Sequence, residues 1–158
     1  MKNTNEHLSE ERIAISNRKA RHDYEVIDTY ETGVALVGSE VKSLRQGRAH
    51  LQDSYGIVKN GEVWLLNMHI SPYEMANRFN HDPLRTRKLL LHKSEIKKLI
   101  GKTTEKGLTL IPLKVYFSKG VAKVQLALCK GKRDYDRRED IKKRDTDREV
   151  RRAIRERN

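Results

Sequence analysis

The chain is poor in the residues that build covalent or catalytic chemistry. It holds one cysteine, Cys129, in 158 residues, which excludes an internal disulfide and a multi-cysteine zinc site. No apolar run approaches the roughly 18–20 residues of a membrane span, and the N-terminal MKNTNEHLSEER contains no signal-peptide apolar stretch. Aromatic side chains make up 6% of the chain, so affinity for a nucleic acid would be mostly ionic, with few rings for stacking. HExxH, GxSxG and P-loop sequences are all missing, and with them the usual signatures of zinc hydrolases, serine hydrolases and phosphate-cradling loops. The expectation is a soluble cytoplasmic protein that is not an enzyme and carries no cofactor or metal.

What the chain has is positive charge. Lys and Arg number 34 against 22 Asp and Glu, a net charge of +12. The last 29 residues, from Lys130 to Asn158, carry 13 basic and 8 acidic side chains, leaving +7 on residues 1–129. Both parts are basic, which makes a nucleic acid the leading partner. An anionic membrane is the rival, but the tail lacks the broad apolar stripe of an interfacial helix. Tyr135, Ile141, Val150, Ala153 and Ile154 are the tail's only apolar side chains. They bury too little surface to offset ordering entropy, so the tail is expected to be disordered when free. Composition leaves two roles open for it: a solvated solubilising segment, or one that folds against a polyanion.

Periodicity predicts a mainly β domain. Residues 1–16 are polar and read as a flexible N-terminus. A basic patch at 17–22 precedes strands at Tyr24–Glu31 and Val34–Val37, and then a short helix from Ser39 to Gly47, capped at one end and stopped at the other. Ser54–Lys59 and Glu62–Ile70 flank Asn60-Gly61, a tight-turn pair that accepts positive φ. Residues 71–87 read as a long loop, followed by a strand at Lys88–Leu91 and a helix at Ser94–Ile100. Leu108–Phe117 and Val121–Leu128 form a second hairpin around Lys119-Gly120, with Val124, Leu126 and Leu128 on one face and Lys123, Gln125 and Ala127 on the other. Antiparallel hairpins in this order predict a small oligonucleotide-binding-type barrel with two or three short helices. Three segments result: residues 1–16, a β-barrel domain at 17–129 whose charge suits a nucleic acid, and the basic tail at 130–158.

Six histidines raise the possibility of a metal-dependent nuclease centred on His81 and Asp82. His22-Asp23 on a strand would point to opposite faces and chelate poorly. In Asn80-His81-Asp82-Pro83, Asp and Pro favour a turn. Cys129 closes an alternating strand, the ordinary place for a small buried thiol.

Four motifs then fall in register. Asn17-Arg18-Lys19-Ala20-Arg21-His22-Asp23-Tyr24 comes first and Gly38-Ser39-Glu40-Val41-Lys42-Ser43-Leu44-Arg45 second. Asn80-His81-Asp82-Pro83 with Arg85-Thr86-Arg87-Lys88-Leu89-Leu90-Leu91 is third, and Gly131-Lys132-Arg133-Asp134-Tyr135-Asp136-Arg137-Arg138 is last. Together they resemble the SsrA-binding protein (SmpB) family from about Ile15 to the C-terminus. The resemblance implies a barrel that binds the tRNA-like domain of transfer-messenger RNA (tmRNA). It also implies a tail that enters the empty mRNA channel and decoding centre of stalled ribosomes, so that incomplete proteins are tagged for degradation. The implied partners are tmRNA, small-subunit ribosomal RNA and elongation factor Tu, with no membrane and a monomeric protein. The alternative is a general basic RNA-binding or ribosomal protein.

Carried over by position, the resemblance puts Glu31, Leu90 and Lys123 at the interface with the tRNA-like domain, beside a basic edge of Arg18, Lys19 and Arg21. Lys123 suits phosphate on physical grounds. Leu90 is equally readable as core, and Glu31 either accepts bonds from base or ribose or orients a neighbouring arginine. In the tail, Tyr135 stands where many relatives have histidine: it keeps a flat face for stacking and loses imidazolium charge. Asp136, Arg137 and Arg138 follow it as the family's Asp-Lys-Arg. Val150, Ala153 and Ile154 would form a narrow apolar stripe on a folded helix.

Overall fold

Two long strands organise the molecule, which we describe from a computed structural model covering residues 11–105, 107–132 and 134–157. β8 (Leu108–Ser118) and β9 (Val121–Gly131) run antiparallel around Lys119 and Gly120. Both turn residues have positive φ, 51° and 75°, the geometry whose twist matches that of the flanking strands. On its other edge β9 pairs with β2 (Tyr24–Val34) from Tyr24 to Gly33. Before these strands in the chain come β1 (Glu11–Ser16), α1 (Arg18–Asp23), α2 (Gly38–Arg45), β3 (Ala49–His50), β4 (Tyr55–Lys59), β5 (Glu62–Leu66), β6 (His69–Ile70), β7 (Arg87–Leu90) and α3 (Lys93–Thr103). α4 (Asp134–Arg157) ends the described chain.

The sheet order β1-β8-β4-β5-β7-β2-β9, with β9 returning to β8, closes six strands into a ring and leaves β1 as an added strand on β8. This is the expected antiparallel barrel. β3 and β6 form a separate two-stranded ladder. Inside the ring Val124, Leu126 and Leu128 are fully buried with Val63, Leu65, Leu89, Leu110 and Val115, and α3 contributes Leu99. Each such side chain gives about 1.5–3 kcal/mol on leaving water. The predicted alternation on β9 therefore holds: even residues from 124 to 128 face the core, and Lys123 and Gln125 face out.

A charged cluster ties α2 to β7. Glu40 and Arg87 are both fully buried. Glu40 accepts from Arg87 Nε, from Arg85 Nη2 at 2.5 Å and from the Val37 N–H at 2.9 Å. Arg87 also donates to the carbonyls of Met68 at 2.6 Å and Pro83 at 3.3 Å. Burial raises the carboxyl's pKa, yet the bonds from Arg85 and Val37 and the Arg87 charge outweigh it and hold Glu40 below its ordinary range.

Several expectations need correction. Residues 11–16 are a strand and not a flexible segment, pairing with Lys114–Ser118 of β8. β4 meets β8 at Gly56 and Leu110, so the far end of that edge has unpaired backbone groups that β1 satisfies, with Ile15 packed on the core. Residues 1–10 lie outside the described residues. The basic patch at 18–23 is a helix, capped by Asn17 Oδ1 accepting from the Ala20 N–H at 3.2 Å. The strands expected at 24–31 and 34–37 are one strand ending at Val34. β9 continues to Gly131, paired with Tyr24, so the barrel passes the boundary read at residue 129.

Most of the tail, expected to be disordered when free, is a 24-residue helix in the structure. That helix, Asp134–Arg157, has no Gly or Pro, and Glu139–Lys143, Asp140–Arg144 and Asp147–Arg151 are acid–base pairs four apart, each able to contribute about 0.2–0.5 kcal/mol. Among the described residues no helix is long and apolar enough to cross a membrane.

Candidate nucleic-acid interface

Four strands bring four residues abreast on the outside of the barrel. Leu90 of β7 is the register partner of Gly33 on β2, Gly33 of Lys123 on β9, and Lys123 of Tyr116 on β8. At about 4.8 Å per strand the row is roughly 14 Å wide. Glu31 lies two residues before Gly33 on the same face, and its Oε1 is 3.0 Å from Lys123 Nζ.

Leu90 is 52% exposed, which settles its alternative reading: it is a surface residue, not core. It leans across Gly33, where an added Cβ would stand 3.2 Å from Leu90 Cβ. The missing side chain of Gly33 thus gives the leucine its place. The Lys123 hydrogen bond holds Glu31 below the usual carboxylate range, helped by the Lys123 charge and a bond from Tyr116 and opposed by slight burial. Tyr116 is pushed up to about 12, first by burial and then by the negative charge and hydrogen bond of Glu31. Lys114 Nζ stands over the Tyr116 ring, 5.0 Å from its centroid. Sequence reasoning missed Tyr116, because its partner Glu31 lies 85 residues away. Glu31 does have a cationic neighbour, Lys123 where an arginine was expected.

This arrangement presents an apolar contact, a cation and an acceptor side by side. The Lys123–Glu31 pair lies at the surface, with Glu31 exposed and Lys123 partly so, and such pairs contribute about 0–1 kcal/mol. An incoming phosphate can therefore take Lys123 at little cost while Glu31 becomes free to accept from a base or ribose donor.

The basic edge lies on the same side. Ala20 of α1 is buried against Ile111, Leu113, Ala127 and Cys129, and Ala127 and Cys129 continue the outward series of Lys123 and Gln125 along β9. α1 therefore sits on the outer face, with Arg18, Lys19 and Arg21 exposed. Beside it runs a groove of about 490 Å³ whose lining includes Arg18, Lys19, Tyr24, His50 and Tyr55.

The tail departs from this helix. The Lys132 N–H donates to the Asp23 carbonyl at 3.0 Å, and Lys132 Nζ donates to the Arg21 carbonyl at 3.2 Å and pairs with Asp140. Arg138 is exposed, and Ile154 and Val150 are 56% and 53% exposed. The backbone of Tyr135, Asp136 and Arg137 lies in α4, but their side chains are outside the described residues.

The histidine motif has a structural use. His81 bridges two elements, with Nδ1 2.8 Å from the Ser39 hydroxyl and Nε2 2.9 Å from the Ile70 carbonyl. Asp82 accepts from the Leu84 N–H at 2.9 Å, a turn bond. His22 and Asp23 end α1 instead of lying on a strand, so their side chains do meet, at 3.0 Å. Among the described residues no three or more His, Cys, Asp or Glu converge as metal ligands. Burial pushes the Cys129 thiol up to about 11, which keeps it unreactive.

Fold and site together define a small basic antiparallel barrel of the nucleic-acid-binding kind. The family model described as SmpB protein matches residues 14–156, and the chain belongs to that family. It is 63% identical over 146 residues to the SsrA-binding protein of Pelotomaculum thermopropionicum, covering 92% of this chain and 95% of that relative. The SsrA-binding protein of Geobacillus thermodenitrificans is 59% identical over 148 residues, with 94% and 96% covered. A solved chain described as "tmRNA-SmpB: a journey to the center of the bacterial ribosome" superposes with a TM-score of 0.65 at 53% identity. That match covers 75% of this chain and 84% of the solved one.

Proposed function

We propose that this chain is the tmRNA-binding protein of trans-translation. The barrel binds the tRNA-like domain of tmRNA, and the tail occupies the empty mRNA channel and decoding centre of a stalled ribosome. Tagging of the incomplete protein for degradation follows. The protein acts in the cytoplasm by binding and positioning, and performs no covalent chemistry on the RNA. The observation that carries this reading is the outward row of Leu90, Gly33 and Lys123, backed by the buried Tyr116, with Glu31 paired to Lys123, in a chain of the SmpB family.

In this reading Lys123 meets phosphate, Leu90 packs on a sugar or base face, and Glu31 accepts a hydrogen bond. Arg18, Lys19 and Arg21 extend the phosphate contacts along α1. Tyr135 stacks in the decoding centre, Asp136, Arg137 and Arg138 contact the surrounding RNA, and Ile154 lies on the stripe against the channel wall.

The test is a filter-binding titration of the full chain and of a chain ending at Lys132, against tmRNA, with bulk tRNA as competitor at physiological salt. Both forms should prefer tmRNA, and only the full chain should support tagging on stalled ribosomes. Absence of preference in both forms would reduce the protein to a general basic RNA binder.

A further inference from the structure

Phe79 is 87% exposed, more than any other large apolar side chain described, and Met75 and Leu84 in the same loop are 78% and 54% exposed. Single exposed apolar residues are ordinary, but this loop is not loose. Asn80, the next residue, is fixed on both side-chain atoms: its Oδ1 accepts from the Tyr73 N–H at 3.0 Å and its Nδ2 donates to the Tyr73 carbonyl at 2.7 Å. His81 is held between Ser39 and Ile70, Asp82 closes its own turn, and Glu74 pairs with Arg48 at 3.0 Å. Phe79 itself ends a 3₁₀ segment, Glu74–Phe79. The ring is thus presented by an ordered backbone, which lowers the entropy cost of using it.

The surroundings favour an anion. Arg78, the residue before Phe79, is exposed, and Lys42 lies over Tyr73 at 5.4 Å from its ring centroid. Of the nearby carboxylates, Glu74 and Glu40 are already engaged by Arg48 and Arg85, leaving Asp82 at its turn. The loop is also continuous with the face already described. It leads into β7, which carries Lys88 and Leu90. Arg85 Nη2 ties it to the Ala35 carbonyl at 3.2 Å, just past the end of β2.

We infer that this loop is a second contact with the tRNA-like domain of tmRNA, in which the Phe79 ring stacks on an unpaired base and Arg78 meets an adjoining phosphate. The inference rests on the proposed function and extends its surface beyond the Leu90–Lys123 row. Aromatic stacking tolerates any base and needs only one whose face is free.

The experiment is filter binding of the full-length protein to tRNA-like-domain RNA over a series of salt concentrations, for wild type, Phe79→Ala, Phe79→Leu, Phe79→Trp and Arg78→Ala. Phe79→Ala should weaken binding about 5- to 150-fold, with its thermal midpoint and the slope of log K against log salt unchanged. Phe79→Leu should fall with it and Phe79→Trp should hold. Arg78→Ala should lower the salt slope by about one. Wild-type binding to the RNA with no loss in Phe79→Ala would overturn this inference and leave the proposed function standing. Retention by Phe79→Leu would also overturn it, by showing apolar packing without stacking. So would a Phe79→Ala defect confined to ribosome binding, which would make ribosomal RNA or protein the partner. Failure of the wild type to bind would instead remove the functional reading beneath it.

Discussion

Replacing Glu40 by alanine should unfold the protein at a much lower temperature. The carboxylate is fully buried and takes bonds from Arg87, Arg85 and the Val37 N–H. Without it the Arg87 guanidinium, equally buried, keeps the Met68 and Pro83 carbonyls but loses its paired carboxylate, with only the lesser influence of Asp82 remaining. Breaking a buried pair from one side costs about 3–5 kcal/mol. Domains of this size are stable by about 5–15 kcal/mol. At about 2–4 °C per kcal/mol for 150–250 residues, the melting temperature should drop by roughly 6–20 °C. Circular dichroism melts provide the assay, with Glu40→Met/Arg87→Met as the control that removes both charges. The double variant should be less destabilised than Glu40→Ala alone. The pH dependence has a definite sign: because Glu40 titrates below its ordinary range in the fold, its contribution is present above the ordinary carboxylate pKa and is lost as pH falls through the folded value. The difference between wild type and Glu40→Ala should therefore shrink in acid. A drop of under about 2 °C at neutral pH, too small for a kcal/mol in a protein of this length, would refute the reasoning.

Other outcomes follow from the same geometry. His69 stacks on His50 with ring centroids 4.7 Å apart; burial, then the charges of His50, Arg87 and His81, hold it below the ordinary histidine range. Unfolding thus takes up a proton, and urea-melt stability should fall as pH drops from the ordinary histidine pKa toward the folded value, a component that His69→Phe should abolish. Lys123→Ala should weaken tRNA-like-domain binding and lower the salt slope by about one, read by filter binding at several salt concentrations. Gly33→Val should push Leu90 aside, since even a Cβ would stand 3.2 Å from Leu90 Cβ. RNA affinity should fall while the melting temperature moves little, because valine suits a strand; equal affinity would show that Leu90 makes no contact.

Local signals in the sequence found the elements whose cause is local. Asn60-Gly61 and Lys119-Gly120 form turns with positive φ at all four residues. The period-two pattern of β9 appears as read, and the helix near 39–47 stops at Gly47 as expected, but it begins one residue earlier, with Val37 as its N-cap and the Ser39 hydroxyl turned to His81. β1 was illegible because two isoleucines in a polar stretch gain their strand only from the unpaired edge of β8, a partner about 100 residues away. α1 buries a single alanine, too little to register as periodicity. Gly33 reads as a break, yet the strand runs through it because Leu90 fills the space. The site was partly legible: Lys123 was placed outward by alternation alone, whereas the exposure of Leu90 depends on its glycine neighbour across the sheet. The motif richest in candidate chemistry, Asn80-His81-Asp82-Pro83 with Arg85 and Arg87, is framework: its polar atoms hold the loop and α2.

The ring of strands is unevenly fastened. β8 and β9 share a long ladder, as do β9 and β2, but β2 meets β7 through two pairs, Gly33↔Leu90 and Val34↔Leu89. That short join is a seam, and the proposed RNA face straddles it, with Leu90 on one side and Glu31 and Lys123 on the other. An RNA gripping both sides acts as a staple across the least-fastened part of that face. Binding should then slow hydrogen exchange at the amides of residues 33–35 and 88–90 beyond what contact shielding gives, and the barrel that carries the RNA would itself be held shut by its cargo.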